Sequence, residues 1–210
     1  MDGHPVQVPV GHYCREDYLN LIFCVNHWHQ AHAVSQANPA RGRVLEIGPG
    51  SGHTTWILRY WGFPVVTADL DPQLRPDVAA DLTRLPFGAR SFECVLAAEV
   101  LEHLPFEEFA RAVGELARVS RRHVILTLPA PLIGFHALLN LPGLRPLGLR
   151  LGLPFWVRHR FDGEHYWEIG KRGTPRRRII AAIESQGLRV VRAFRPAPSL
   201  YSYFFIAEKR

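Results

Sequence analysis

Val44-Leu45-Glu46-Ile47-Gly48-Pro49-Gly50-Ser51-Gly52-His53 is the stretch that decides the fold. It opens as a short apolar run broken by one acid. Three glycines then turn the chain, and Thr54-Thr55-Trp56-Ile57-Leu58 reads on as a helix. Strand, tight turn and helix start together make the opening unit of an α/β sheet. In such a sheet a ligand sits in the crevice beyond the carboxyl end of the strand. Glycine suits the turn because it accepts backbone angles that other residues resist and lets a ligand approach the main chain. The spacing narrows the ligand. A dinucleotide turn wants G-x-G-x-x-G, but the glycines here fall at 48, 50 and 52, and His53 stands where the third would be. No lysine follows to make a phosphate loop. Glu46 would repel phosphate and suits a ligand carrying positive charge.

The segments downstream repeat the strand–turn–helix pattern. Strand one is Arg43–Ile47, followed by a helix from about His53 to Trp61. Phe63–Asp69 reads as strand two and ends in an acid. Asp77–Ala80 is a short strand, and Cys94–Ala98 is the fourth. Glu107–Arg118 is an amphipathic helix, and His123–Leu128 is an apolar, β-branched fifth strand.

Glu46-Ile47-Gly48-Pro49-Gly50-Ser51-Gly52 resembles motif I of the class I S-adenosylmethionine-dependent methyltransferases. Ala80-Asp81-Leu82-Thr83-Arg84-Leu85-Pro86-Phe87, Ser91-Phe92-Glu93-Cys94-Val95 and Glu99-Val100-Leu101-Glu102-His103 resemble later motifs of the same family, with Glu93 replacing its usual aspartate. The resemblance covers about residues 40–130. It implies a Rossmann-like, doubly wound seven-stranded sheet of order 3-2-1-4-5-7-6 with an antiparallel last strand. It also implies S-adenosyl-L-methionine as cofactor and S-adenosyl-L-homocysteine as product. Glu46, Gly48, Gly50 and Gly52 would line the cofactor turn. Asp69, with Leu70 beside it, would grip both ribose hydroxyls, since a carboxylate can accept two O–H donors together; Asp71 is the alternative. Asp81 would accept the adenine amino group, with the Leu82 N–H on a ring nitrogen. Ala98 and Glu99 would meet the methionine portion, although Glu99 is equally placed to cap the following turn.

The bounds agree with one globular domain. The chain has 210 residues, 47% hydrophobic and 21% charged. Three scattered cysteines, Cys14, Cys24 and Cys94, show no metal-ligand spacing and no disulfide framework. No charged-then-apolar leader or bilayer-length apolar run is visible, so a cytoplasmic protein is expected. A net charge of +6 permits an anionic small molecule, nucleic acid or an acidic membrane surface without choosing among them.

We expect residues 1–40 to form an N-terminal helical cap, 40–130 the cofactor core, 130–172 a substrate or lid insertion and 173–210 the last helix and strands. Residues 1–14 read as an irregular tail. Arg15 to Gln36 has a helical pattern, with Tyr18, Leu21, Ile22, Val25 and Trp28 on one stripe. His27, His29 and His32 lie on that helix, but only the last two share a face, and no carboxylate joins them, so no metal is expected there. Leu132–Leu141 is apolar, and Pro142, Pro146 and Pro154 break any long helix. Leucines then alternate with Arg145 and Arg150. That insertion is open among a lid over a lipophilic acceptor, a peripheral contact with anionic lipid and a segment packed on the sheet edge. Thr174 is expected to cap a helix running to Gln186, with Pro175 at its first position. Leu188–Phe194 and Tyr201–Ala207 complete the strands.

Methyl transfer needs a placed acceptor and, for a hydroxyl, a base with pKa near working pH. His103, just beyond strand four, and His165, in Phe161-Asp162-Gly163-Glu164-His165-Tyr166-Trp167-Glu168, are the candidates. The expected substrate is a small molecule, lipophilic or anionic. RNA is the alternative acceptor, on the strength of Lys171-Arg172-Gly173-Thr174-Pro175-Arg176-Arg177-Arg178, although no nucleic-acid module accompanies it. A cofactor-binding partner module without turnover is the third reading.

Overall fold

The computed structural model describes residues 8–13, 15, 20–139, 141, 143, 147–154, 157–197, 199 and 201–210. Cys14, Tyr18, Leu144, Arg145 and the prolines at 142 and 146 lie outside them. A four-residue helix, α1 (Val10–Tyr13), precedes α2 (Leu21–Ala37). β1 (Val44–Ile47) sits at the centre of the main sheet, parallel to β2 (Val65–Asp69) on one side and β4 (Phe92–Ala98) on the other. β3 (Val78–Ala79) extends the sheet beyond β2, and β5 (Ser120–Pro129) beyond β4. β9 (Ser202–Lys209) runs antiparallel to β5, and β8 (Leu188–Phe194) closes the edge against β9. The order β3-β2-β1-β4-β5-β9-β8 is the expected 3-2-1-4-5-7-6 with the two strands of an inserted hairpin set aside.

β1 is buried at all four residues because helices cover both faces of the sheet. Val44 packs into the layer that holds α2 and α3 (His53–Tyr60), with Ala31, Val34 and Leu58. Leu45 and Ile47 point the other way, toward α4 (Phe106–Val119) and α5 (Arg176–Glu184). Within α4, Phe109, Ala112, Val113 and Leu116 recur at helical spacing and are fully buried. No described helix is long and apolar enough to cross a membrane.

Two expectations change. α2 begins at Leu21 because the Asn20 side chain accepts from the N–H groups of Ile22 and Phe23, a cap worth about 1 kcal/mol. Its inner face is also not the apolar stripe. Leu21 and Trp28 are exposed, while Asn26 and Gln30 are buried. Those amides turn inward because hydroxyls wait there: Asn26 donates to Ser202, and Thr54 donates to Gln30.

The second change is at α5, which starts at Arg176 after an extended Pro175. Thr174 does not cap it, since its buried hydroxyl donates to the Glu168 carbonyl at 2.6 Å.

Within the insertion, β6 (Leu132–Leu139) and β7 (Leu147–Pro154) pair as an antiparallel hairpin in a sheet of their own. The register puts Ile133 opposite Leu153, Phe135 opposite Leu151 and Ala137 opposite Leu149, and the large side chains of these pairs are exposed. Gly134 is fixed by this pairing, as a Cβ there would lie 2.1 Å from the Leu151 carbonyl oxygen.

The turn after β1 supplies a test of its geometry. Gly48 has φ +68°, and a Cβ on it would sit 2.3 Å from a Val100 methyl. Gly48→Ala is expected to cost about 1–3 kcal/mol of stability through left-handed strain and overpacking. Chemical denaturation at fixed pH measures it, and an unchanged midpoint would rule out the tight approach to Val100.

Candidate active site

The cleft lies at the carboxyl ends of β1, β2 and β4, where the parallel strands deliver their last side chains. Two cavities occupy it. The first is lined by Gly48, Asp69, Leu70, Asp81, Leu82 and Glu99, among others. The second is lined by Glu46, Gly50, His27, Ala98, His165 and Tyr201, among others. Val8, Tyr13, Gly48, Glu99 and His103 belong to both. Eleven of the twelve residues singled out from the sequence thus line one cavity or the other; Gly52 instead borders a shallow groove with Trp56 and Tyr60.

In the first cavity Asp69 and Asp81 are set by local turns. Asp69 Oδ1 accepts the Asp71 N–H at 2.8 Å, and burial raises the acid's pKa. Asp81 Oδ1 takes both the N–H and the hydroxyl of Thr83 at 2.7 Å. The Leu70 N–H also holds the Asp69 carboxylate, whereas the second oxygen of Asp81 has no hydrogen bond among the described residues, and both acids line the cavity. Asp71 is buried and caps the short turn Pro72–Leu74 by accepting the Gln73 N–H.

Glu46 lies beneath the glycine turn, 2% exposed, with its Oε2 accepting the Thr55 hydroxyl at 2.6 Å. Burial, only partly relieved by Thr55 and Arg59, pushes its pKa up to about 7. Tyr13 closes over this turn, where a Cβ on Gly50 would come within 2.9 Å of its ring.

The second cavity is built by stapling the insertion to the residues after β4. Trp167 is buried, donates its indole N–H to the Leu104 carbonyl and meets Phe106 and Phe109 edge to face. Tyr166 N–H donates to the Glu102 carbonyl, and His103 Nδ1 donates to the Glu164 carbonyl at 2.9 Å. The His103 and His165 rings are thereby brought to 5.2 Å between centroids. Glu168 lies behind, 3.6 Å from His165 Nδ1, 3.7 Å from His159 and 3.6 Å from Lys171.

Charges in this corner are strongly perturbed. Burial pushes Glu99 up to about 7. It also raises Glu102 well above the usual carboxylate range, with Glu99 adding like charge. Burial holds His103 low. It also pulls down on His165, but Glu168, Asp162 and Glu99 more than offset it and raise that pKa. Glu99 stands at φ +53°, a strained angle for a residue with a side chain, and its N–H is tied to the Thr127 carbonyl. Its carboxylate oxygens lie beside the Thr127 and Ser202 hydroxyls without closing a hydrogen bond of good geometry.

Several site residues carried no signal in the sequence. Tyr201 and Ser202 reach the cavity only because β9 returns beside β5. His27 was visible as one of three helical histidines. It turns to Thr54 and His53 at the cavity wall, while His32 stacks on Trp28. Two of the three arginines at the start of α5 are engaged locally. Arg176 donates to the Tyr203 hydroxyl, and Arg178 lies over the Phe106 ring and donates to the Gly173 carbonyl.

This architecture is that of the class I S-adenosylmethionine-dependent methyltransferases. The chain belongs to the methyltransferase domain family, whose model matches residues 25–172. It is 32% identical over 113 residues to the uncharacterized methyltransferase YodH of Bacillus subtilis (strain 168), a match spanning 47% of this chain and 45% of that protein. Two solved structures share the fold. One is 1,6-didemethyltoxoflavin-N1-methyltransferase from Burkholderia thailandensis, with 1,6-didemethyltoxoflavin and S-adenosylhomocysteine bound; its TM-score is 0.63 at 17% identity, over 95% of this chain and 84% of that one. The other is magnesium protoporphyrin IX methyltransferase from Synechocystis PCC 6803 with S-adenosylmethionine bound, again at a TM-score of 0.63 and 17% identity, over 95% and 91%.

Proposed function

We propose that this protein transfers a methyl group from S-adenosyl-L-methionine to an oxygen or nitrogen of a small molecule and releases S-adenosyl-L-homocysteine. The observation that carries the reading is the shared wall of the two cavities, where Gly48, Glu99 and His103 face both. A donor held in the first cavity would meet an acceptor held in the second at that wall.

The residues present fit the donor. Gly48, Asp69 and Asp81 line the first cavity, and Asp81 uses only Oδ1 on Thr83, which leaves its other oxygen for an amino donor. Asp69, beside Leu70, would hold the ribose; Asp81 and the Leu82 N–H would hold the adenine. Glu46, Ala98 and Glu99 would surround the methionine portion, and buried carboxylates suit its positive charge. When bound, the donor supplies a methyl group already activated on a sulfonium. The protein's share is therefore positioning, which can be worth about 7–11 kcal/mol.

His103 and His165 stand where the acceptor's proton must go. His103 Nδ1 donates to the Glu164 carbonyl, a bond that fixes its ring at the cavity wall. The exposed apolar face of the hairpin suits a peripheral contact with lipid. RNA is disfavoured because Arg176 and Arg178 are engaged within the protein.

The test is incubation with labelled donor and a metabolite extract, with bulk RNA in parallel. Labelled small molecules are expected; label entering RNA with a steep salt dependence would overturn the acceptor class. Donor binding with no labelled product in any arm would favour the partner-module reading. His165→Ala is expected to leave donor affinity unchanged and to lower turnover about 100-fold. Equal turnover in a single-substrate assay would return His165 to a structural role.

A further inference from the structure

At the end of β4 the chain leaves a carboxylate without any donor. Glu102 is fully buried, and neither of its side-chain oxygens has a hydrogen-bond partner. The oxygens of Glu99, close enough to repel it, are in the same state. Burying carboxylates this way is costly unless a proton or a cation joins them. Two imidazoles stand against Glu102: one ligand atom from each of Glu102, His103 and His165 can be chosen so that all lie within 4.8 Å of one another.

The imidazoles are oriented from behind. His103 donates its Nδ1–H to the Glu164 carbonyl, and His165 Nδ1 faces Glu168 at 3.6 Å. Metal-binding histidines are held in this way, one ring nitrogen fixed by a carbonyl or carboxylate and the other presented to the ion. His159, Lys171 and Asp162 surround Glu168 and His165 on the far side and complete the polar shell.

We propose that Glu102, His103 and His165 bind one divalent transition-metal ion at the acceptor side of the cleft. Two imidazoles and one carboxylate favour zinc or a neighbouring first-row ion over magnesium or calcium. Three protein ligands with an open position form the pattern of a zinc site that also takes substrate. Bonds of about 2.0–2.2 Å would bring the ligand atoms to roughly 3.4 Å apart, a closure that side-chain rotation supplies. His103 and His165 line the cavity with Asn26, His27 and Tyr201, so an open position on that side would face an acceptor held there.

An acceptor hydroxyl bound there would lose its proton to solvent more readily. Its oxygen lone pair would then form the new O–C bond as the methyl C–S bond breaks, with that pair remaining on sulfur. The histidines hold the ion in this form of the site rather than taking the proton themselves. This role rests on the methyl-transfer reading, whereas binding of the ion does not. The sequence gives no metal spacing because the two histidines, 62 positions apart, meet only through tertiary contacts, the Trp167 anchor and the bonds from Tyr166 N–H and His103 Nδ1.

The test uses the full chain stripped with chelator and titrated with Co²⁺, followed by visible absorption, and with Zn²⁺ by calorimetry, both without methyl donor. One equivalent is expected to bind. Glu102→Gln and His165→Ala should each weaken it by at least about 100-fold, ligand loss exceeding the tenfold to hundredfold cost of losing an outer partner. Glu102→Gln should retain wild-type affinity for S-adenosylmethionine, which shows that the variant folds. Absence of one-to-one binding in the wild type would overturn the site. So would binding that survives both substitutions, which would place the ion on surface histidines such as His29 and His32. Metal binding with no methyl transfer to any acceptor would uphold the site and count against the enzymatic reading alone.

Discussion

Asp69→Ala is expected to weaken binding of S-adenosylmethionine about 100-fold. Asp69 ends β2 at the mouth of the cleft, and one of its oxygens is already fixed by the Asp71 N–H. That bond orients the carboxylate at the cavity wall. Two ribose hydroxyls donating to an ionised acceptor contribute about 1.5–3 kcal/mol each, and alanine removes both. A loss of about 3 kcal/mol corresponds to about two orders of magnitude in Kd. Asp69→Asn should fall between, since its carbonyl can still take the Asp71 N–H but carries no charge. Calorimetric titration checks both variants, with thermal unfolding as the control for local damage to the 69–71 turn. Unchanged affinity in Asp69→Ala would remove this residue from the donor site.

The part of the site built on the parallel strands was legible because position and chemistry coincide there. Glu46, Asp69 and Glu99 fall at or beside strand ends, and the sheet order turns each strand end into a wall of one cleft. Nothing comparable marks the insertion. β6 reads Leu-Ile-Gly-Phe-His-Ala-Leu-Leu, apolar on both faces, so it lacks the alternation that identifies a strand. β7 does alternate, with leucines at 147, 149, 151 and 153, but its intervening glycines and prolines read as breakers. The inward face of α2 was missed for the opposite reason. Periodicity finds apolar stripes, and this helix buries amides against the Thr54 and Ser202 hydroxyls instead. The meeting of His103 with His165 depends on Trp167 entering the α4 layer, a tertiary event with no local signature.

Glu46→Gln is expected to make the ligand-free protein more stable at pH 8, by up to about 3 kcal/mol. The carboxyl has its ordinary pKa of 4.5 in the unfolded chain and about 7 when folded, because burial disfavours its charge. A raised carboxylate pKa means that the folded state holds the proton more tightly. The stabilisation is present below pH 4.5 and is lost as pH climbs toward 7; above that, the fold carries a desolvated anion. A difference of 2.5 units at 1.36 kcal/mol each gives the figure above. Glutamine keeps the acceptor for the Thr55 hydroxyl without the charge, so the variant and wild type should converge near pH 4.5 and diverge upward. Glu99 and Glu102 tilt stability in the same direction, so the slope in the variant should shrink rather than vanish. Urea denaturation across pH 5–8 measures the difference. The same substitution should weaken S-adenosylmethionine binding most at high pH, where wild-type Glu46 is ionised and can attract the donor's cation. Equal wild-type and variant stability at pH 8 would show that Glu46 is not desolvated beneath the turn. The gain in stability and the loss in affinity share one cause: a charge that burdens the empty fold is the charge that a cationic ligand would neutralise.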